Sequence, residues 1–210
     1  MWVGLSKETA HQLGTPISSL MAWMDLLESS GVDSSLLSDM NKDVNRLSVI
    51  AERFSKIGSK PEMELIYVNE VLENATEYMR RRVSDKVLIT THLPSDAEGA
   101  MVCLSLFEWV IENLCKNAVD AMNGEGRIDV YMTSEKQQIY IDIKDTGKGI
   151  ARKNFKTVFN PGYTTKKRGW GLGLTLAKRI IEDYHAGRIY VKDSEVGKGT
   201  TFRIELTRVV

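Results

Sequence analysis

The heptad pattern in the first quarter of the chain excludes more folds than any other feature of the sequence. Apolar or small residues occupy positions 10, 13, 17, 20, 24 and 27, in steps of three and four. This spacing predicts a helix over Ala10 to Leu27 with a narrow apolar stripe along one side. The same spacing recurs at positions 40, 44, 47, 51 and 54, which predicts a second helix over Met40 to Phe54.

The segment between the two stripes predicts that the helices form a hairpin. Residues 29–35 read SSGVDSS, so they offer a glycine that ends one helix and several residues able to cap the next. A hairpin of about 55 residues is too small to bury a stable core by itself. We therefore expect a second copy of the chain to supply the missing apolar surface, in a homodimeric four-helix bundle.

The periodicity changes after residues 58–61, where glycine and proline interrupt the helical pattern. We place a domain boundary there, with residues 1–58 forming the hairpin and residues 59–210 forming a second domain. The patterns of the second domain predict strands over residues 64–68, 86–93, 127–133, 138–144, 188–191 and 200–206, and helices over residues 70–84, 101–122 and 172–185. The predicted fold class is α+β, a helical hairpin followed by an α/β two-layer sandwich with a mixed sheet.

Charge and cysteine content exclude several classes of partner. The sequence has 28 basic and 28 acidic residues, so its formal net charge is zero. It therefore lacks the basic footprint that nucleic acid or an anionic membrane would need. The longest apolar run, Met101 to Ile111, is shorter than the roughly 20 residues of a membrane-spanning helix. Cys103 and Cys115 lie in one apolar stretch, which favours reduced core thiols and a cytoplasmic location.

Two asparagines on the long predicted helix are candidate metal ligands. Asn113 and Asn117 are four residues apart, so both amides project from one face of the helix, and Asp120 follows. Amide oxygens are suitable ligands for Mg²⁺ carried by a triphosphate. Hydrogen bonding within the domain core is the alternative, and these residues alone do not decide between the two.

A glycine-containing turn follows the strand predicted over residues 138–144. The run Asp145-Thr146-Gly147-Lys148-Gly149-Ile150 places a carboxylate at the strand end and glycines where the backbone must approach closely. In a functional interpretation, Asp145 accepts a hydrogen bond from the exocyclic amine of adenine. The alternative is a tight strand-to-loop turn without a ligand.

A second glycine-rich run, Gly169-Trp170-Gly171-Leu172-Gly173-Leu174, opens the last predicted helix. Small residues at a helix start leave backbone N–H groups available to phosphates. No predicted strand leads into these glycines, so the dinucleotide-binding βαβ unit is excluded.

Taken in order, these motifs resemble those of sensor histidine kinases. The segments Asn113 to Ala121, Asp145 to Ile150, Phe155 to Phe159 and Gly169 to Leu174 are similar to the N, G1, F and G2 boxes of that family, and Ala10 to Pro16 resembles its H box. The resemblance implies a Bergerat-type fold, shared with gyrase-like ATPases, after a dimerisation and phosphoacceptor hairpin. It also implies ATP and Mg²⁺ as cofactors and a response regulator receiver domain as partner.

The resemblance further implies roles for individual residues of the second domain. Asn117 would hold Mg²⁺ and Asp145 would hold the adenine. The other implied nucleotide contacts are Asp120, Gly147, Gly149, Lys166, Gly169, Gly171, Leu172 and Gly173. Lys166 lies in the segment Phe155 to Arg168, which resembles a lid over the phosphates, with a solvated basic loop as the alternative for its last residues.

In the hairpin, the resemblance implies that His11 is the phosphoacceptor. Its neutral imidazole would attack the γ-phosphorus of ATP, and the phosphoryl group would pass to an aspartate of the regulator. His11 falls beside the apolar stripe, which predicts that it is accessible to solvent. Gln12 replaces the acid common in the family, so slower autophosphorylation or a changed pH dependence is expected. Thr15 matches the position of a hydroxyl used in dephosphorylating the regulator.

Asn113 bears on the choice between a kinase and an ATPase. Gyrase-like relatives carry a glutamate at this position, where it orients water for hydrolysis. An amide cannot take a proton, so fast hydrolysis is disfavoured here. A gyrase-like ATPase and a catalytically silent nucleotide-binding scaffold remain the alternatives, the latter because of Gln12 and of Trp170, which replaces a small polar residue.

The sequence begins almost at the H box. We therefore expect this chain to be the cytoplasmic portion of a larger sensor, without a membrane span of its own.

Overall fold

The computed structural model describes residues 2–58, 61–165 and 171–210, and the chain divides into two compact units, Met1–Pro61 and Glu62–Val210. In the first unit, helix α1 (Trp2–Ser29) is followed by helix α2 (Ser34–Gly58). The turn between them contains Gly31 at φ +78°, and the Asp33 carboxylate accepts a hydrogen bond of 2.8 Å from the Ser35 N–H. Both predicted helices are therefore present, and both are longer than their stripes.

The heptad stripe is divided between a buried and an exposed set of residues. Ile17, Met24, Val44 and Ala51 are at most 7% exposed and form the core between α1 and α2. The intervening stripe residues stay between 37% and 48% exposed: Leu13, Leu20, Leu27, Met40 and Leu47. Five of the nine stripe residues whose side chains are described thus stay exposed in one hairpin.

The second unit contains seven strands and three α-helices in its described residues. In chain order they are β1 (Glu64–Tyr67), α3 (Val68–Arg80), β2 (Val87–His92), β3 (Gly99–Val102), α4 (Leu104–Ala121), β4 (Gly126–Glu135), β5 (Gln138–Asp145), α5 (Gly173–Arg179), β6 (Arg188–Glu195) and β7 (Gly199–Thr207). Short 3-10 turns lie between β5 and α5, and a π-helical turn, Ile180–Tyr184, continues α5.

Five strands form one mixed sheet in the order β2-β4-β5-β7-β6. β2 pairs with β4 in parallel, and the other neighbours are antiparallel. The side chains of Ile139, Ile141 and Ile143 alternate along β5 and are buried, and α4 packs against β4, β5 and β7. This gives the predicted two layers, with the end of β5 and the last turns of α4 close to each other.

The helix predicted over residues 101–122 is wrong at its start. Met101 and Val102 belong to β3, which pairs antiparallel with β1, and α4 begins at Leu104. The Gly99 N–H also donates to the Val210 carbonyl at 2.8 Å, so the end of the chain extends this small sheet. A short apolar run fits a buried strand as well as a buried helix, and periodicity cannot separate the two.

Two other predicted helices end earlier than expected. Helix α3 stops at Arg80, whose guanidinium donates to the Ile89 carbonyl of β2 at 3.1 Å. The helix predicted over residues 172–185 is α-helical only to Arg179 and then widens, because the His185 N–H bonds to the Ile180 carbonyl at 3.2 Å. A contact between two elements is thus made at the end of α3, whereas the end of α5 is a local change to π-helical hydrogen bonding.

The cysteines are free and buried, as predicted for core thiols. Burial raises the pKa of the Cys115 thiol to about 12, which keeps it protonated. Throughout the described segments, no helix has the length and apolar character needed to cross a bilayer.

Candidate functional site

Asp145 ends β5 with a nearly buried carboxylate, which is 3% exposed. Its Oδ1 accepts hydrogen bonds from the backbone N–H groups of Gly147 at 2.7 Å and Thr200 at 3.3 Å. Within the described residues no hydrogen bond reaches Oδ2. Burial raises the pKa of this carboxyl above its ordinary value, although the two backbone donors lower it in part. The side chain is therefore held rigidly with one oxygen available to a ligand.

Glycine is required in the turn that follows because other elements crowd it. A Cβ on Gly147 would lie 2.8 Å from backbone atoms of Ala121 at the end of α4. Gly149 has φ +71°, and a Cβ there would lie 2.1 Å from the Glu195 carbonyl oxygen. The two glycines thus let the turn pass between α4 and the β6–β7 turn.

One face of α4 lies against this turn. Asn113, Asn117 and Asp120 all line the same cavity as Asp145. The Nδ2 of Asn113 is buried and has no hydrogen-bond partner among the described residues. A Cβ on Gly173 would lie 3.2 Å from the Oδ1 of Asn113, so the start of α5 approaches this asparagine closely. The amide of Asn113 therefore has a donor to offer to a ligand.

The segment before α5 also depends on glycine. Gly171 has φ +64°, and a Cβ there would lie 2.6 Å from the Gly162 carbonyl carbon. The Gly162 N–H donates to the Gly171 carbonyl at 3.2 Å. This contact brings residues 171–173 to the cavity, where small residues leave the backbone accessible.

These elements surround a cavity of about 360 Å³, a size typical of small-molecule sites. It is contained within the second unit. Eight of the predicted site residues line it: Asn113, Asn117, Asp120, Asp145, Gly149, Gly171, Leu172 and Gly173. Motifs that are far apart in the sequence are thus brought to one place.

The remaining predicted residues are placed differently. Gly147 is buried behind the cavity, against Ala121. Lys166, Gly169 and Trp170 lie outside the described residues. His11 and Gln12 belong to α1 in the first unit, but their side chains are outside what the structure describes, while Thr15 is exposed on the same helix.

Several lining residues escaped the sequence analysis. Thr200 and Phe202 reach the cavity from β7, and Tyr163 reaches it from the segment between β5 and α5. Lys116 and Lys148 add positive charge to the lining. For Thr200 and Phe202 the sequence contained one signal, which is the glycine at position 199. The structure explains this glycine, because a Cβ on Gly199 would lie 1.9 Å from the Asp145 carbonyl oxygen.

The chemistry of the cavity suits an adenine nucleotide. The exocyclic amine of adenine is a donor, and the Oδ2 of Asp145 is an acceptor that receives no hydrogen bond from the described residues. The glycines allow phosphates to approach the backbone, and Asn113 offers an unpaired donor. Asn117 and Asp120 carry the oxygen type that Mg²⁺ prefers, whereas no group of three or more His, Cys, Asp or Glu within the described residues could hold a metal alone.

Comparison with known proteins agrees with this geometry. The family profile of "Histidine kinase-, DNA gyrase B-, and HSP90-like ATPase" matches residues 104–209, a range that contains every cavity-lining residue. Sporulation kinase E of Bacillus subtilis (strain 168) is 30% identical over 209 residues, which is 96% of this chain and 28% of that protein. Sensor histidine kinase ZraS of Escherichia coli (strain K12) is 26% identical over 209 residues, 96% of this chain and 44% of that protein.

Solved structures share the fold. The structure of full-length ShkA in complex with AMPPNP has a TM-score of 0.76 at 19% identity and covers 99% of this chain and 46% of its own. The structure of histidine kinase ThkA in complex with response regulator protein TrrA has a TM-score of 0.64 at 19% identity and covers 98% and 61%. The chain spans between 28% and 48% of the length of the sporulation kinases that it matches. With its α+β ATP-binding fold and its matching profile, the chain belongs to the histidine kinase-, DNA gyrase B- and HSP90-like ATPases.

Proposed function

We propose that this chain is the ATP-dependent protein-histidine kinase core of a two-component system. It autophosphorylates His11 and passes the phosphoryl group to an aspartate of a response regulator. The observation that carries the proposal is the presence, in one chain, of an ATPase-family cavity and of a helical hairpin with a histidine near its start. The alignment with Sporulation kinase E extends over 96% of the chain, so it includes both parts.

In the cavity, different residues bind the base, the phosphates and the metal of the nucleotide. Asp145 accepts the adenine amine through Oδ2, and the backbone around Gly171 and Gly173 receives the phosphates. Asn117 holds Mg²⁺, with Asp120 beside it on the same face of α4. The metal, when bound, neutralises charge on the phosphates. The positions of these residues in the cavity lining support this division, because the carboxylate stands at the end of β5 and the two glycines stand at or just before the start of α5.

The reaction needs a nucleophile and no hydrolytic base. An unprotonated ring nitrogen of His11 forms a bond to the γ-phosphorus as the bond to the leaving ADP oxygen breaks. Asn113 cannot activate water, which disfavours hydrolysis as a competing reaction. Gln12 can hydrogen-bond to the imidazole but cannot take its proton. Thr15 is exposed one turn after His11, which is compatible with a role in dephosphorylating the regulator.

The hairpin serves as the dimerisation and phosphotransfer domain, residues 1–58, and residues 59–210 serve as the catalytic domain. The five exposed stripe residues described above support a homodimeric four-helix bundle, since a second hairpin would bury them. The regulator as partner is supported by the likeness to ThkA in complex with TrrA.

The test is incubation of the purified chain with γ-labelled ATP and Mg²⁺. We expect an acid-labile phosphoprotein in the wild type and in a His92→Gln control, which alters an exposed histidine of β2, and none in His11→Gln. Release of free phosphate without labelled protein would identify a gyrase-like ATPase. Nucleotide binding without either product would identify a silent scaffold.

A further inference from the structure

The glycine turn carries a lysine between its two glycines, and the roles described above leave Lys148 unexplained. Its backbone is fixed from two sides. The Lys148 N–H donates to the Ala121 carbonyl at 3.0 Å, and its carbonyl accepts from the Gly197 N–H at 2.8 Å. The Cα of Lys148 therefore has a defined position relative to both α4 and the β6–β7 turn.

The side chain of Lys148 is directed along the cavity wall. Its Nζ donates to the Oγ1 of Thr165 at 2.8 Å, and both residues line the cavity. A threonine hydroxyl is neutral, so this hydrogen bond does not compensate the charge. An ammonium group has three donors, and within the described part of the chain Lys148 uses one of them. Two donors and one positive charge remain available to a ligand.

The charges of the lining show which part of a ligand Lys148 would bind. Among the described lining residues, the acids are Asp120 and Asp145 and the cations are Lys116 and Lys148. Asp145 suits the amine of the base. No carboxylate of the described residues pairs with the Lys148 ammonium, so it favours an anionic group, and the polyphosphate is the anionic part of a nucleotide.

We propose that Lys148 binds the polyphosphate of the bound nucleotide and so makes the cavity selective for nucleotides over nucleosides. The inference rests on the proposed nucleotide site. Thr165 is the positioning residue, because its hydroxyl holds the ammonium at the cavity wall before a ligand arrives.

The experiment measures dissociation constants of ATP and of adenosine by NMR titration of the complete chain. In Lys148→Met we expect affinity for ATP to fall about tenfold and affinity for adenosine to stay unchanged. Lys148→Arg keeps the charge and should retain most of the ATP affinity. The matched control is Lys144→Met. Lys144 is an exposed lysine near the end of β5, four residues before Lys148, and it does not line the cavity.

Salt gives a second readout. The ATP affinity of the wild type should fall with ionic strength more steeply than that of Lys148→Met, because the variant has lost one charge contact. Thr165→Val should reduce ATP affinity less than Lys148→Met, since the lysine itself remains.

Three results would overturn the inference. Equal losses for ATP and adenosine in Lys148→Met would mean that the lysine acts through the fold of the turn. No loss, or a loss confined to Lys116→Met, would assign the phosphates to another cation. If the wild type bound neither ATP nor adenosine, the proposed nucleotide site itself would fail. If the wild type and Lys148→Met bound ATP equally well, only the role of Lys148 would fail.

Discussion

The imidazole of His185 accepts a hydrogen bond of 3.0 Å from the backbone N–H of Cys103. Its other ring nitrogen, Nδ1, donates to the Ile180 carbonyl at 2.7 Å. One ring thus joins the residue that precedes α4 to the π-helical turn that follows α5. Both helices carry cavity residues at their other ends. Because one nitrogen accepts and the other donates, the ring is neutral in this arrangement.

Acidification should therefore weaken the fold through His185. Burial lowers the pKa of this imidazole below its ordinary value of 6.5. The unfolded chain takes up the proton at a higher pH than the folded chain does. The free energy of unfolding should decrease as pH falls below 6.5 towards the lowered folded pKa, and should level off above 6.5. Urea unfolding at several pH values measures this dependence.

His185→Phe should lower the free energy of unfolding by about 1–3 kcal/mol, because it leaves the buried Cys103 N–H unpaired. It should also flatten the pH dependence in this range. Cys103→Ala is the control, since it keeps the backbone N–H and should keep the pH dependence. An unchanged pH dependence in His185→Phe would show that another group titrates.

Asp145→Asn should reduce ATP affinity by about tenfold to a hundredfold. The amide oxygen would remain with the N–H groups of Gly147 and Thr200, so the amide NH₂ would face the adenine amine, and two donors would meet. The wild type should also lose affinity as pH falls through the raised pKa of Asp145, because only the carboxylate accepts the amine strongly. Calorimetric titration across pH measures both effects.

The control for Asp145 is Asp142, which lies on the same strand, β5, but does not line the cavity. Asp142 accepts hydrogen bonds from Arg203 at 2.6 and 2.7 Å and from Lys192 at 2.6 Å. Asp142→Asn should reduce stability and leave ATP affinity unchanged. Equal ATP affinity in wild type and Asp145→Asn would refute the assigned role.

Gly149→Ala should destabilise the domain far more than Gly197→Ala. Both glycines have positive φ, +71° and +84°, which costs an alanine about 1–2 kcal/mol. Only at Gly149 would the new Cβ collide with backbone, 2.1 Å from the Glu195 carbonyl oxygen, whereas nothing lies within 4 Å at Gly197. We expect a total loss above about 3 kcal/mol for Gly149→Ala in urea unfolding. Equal losses would show that the turn can shift.

Leu20→Lys should dissociate the proposed dimer. Leu20 belongs to the exposed half of the heptad stripe, so a charge there would have to be buried in a four-helix bundle. We expect the dimer dissociation constant to rise at least about a hundredfold, measured by sedimentation equilibrium. Leu26→Lys is the control, because Leu26 is 57% exposed but lies off the stripe. Dissociation by Leu26→Lys alone would place the interface on another face of α1.

Elements with a strong local pattern could be predicted from the sequence. The heptads gave both hairpin helices, and the alternation of Ile139, Ile141 and Ile143 gave β5 with its buried face. The residues of the motifs at Asn113, Asp145 and Gly171 do line one cavity. The hairpin helices and β5 could be predicted because their patterns repeat within a few residues of sequence, and the site residues could be predicted because each motif is itself a short run.

Features that depend on distant pairing could not be predicted. β3 exists because β1 and the end of the chain pair with it, and neither partner is adjacent in sequence. Thr200 reaches the cavity because β7 lies next to β5 in the sheet, which spacing does not reveal. The division of the heptad stripe into buried and exposed halves likewise depends on how α1 packs against α2.

The hydrogen bond from the Thr200 N–H to Asp145 spans 55 residues of sequence. The carboxylate therefore reaches its final orientation only after β7 has docked beside β5. During refolding, nucleotide affinity should appear late, after secondary structure and collapse, and a ligand should slow unfolding without accelerating folding. Binding of ATP thus reports that the whole domain has been completed, and truncated chains that end before β7 should show none.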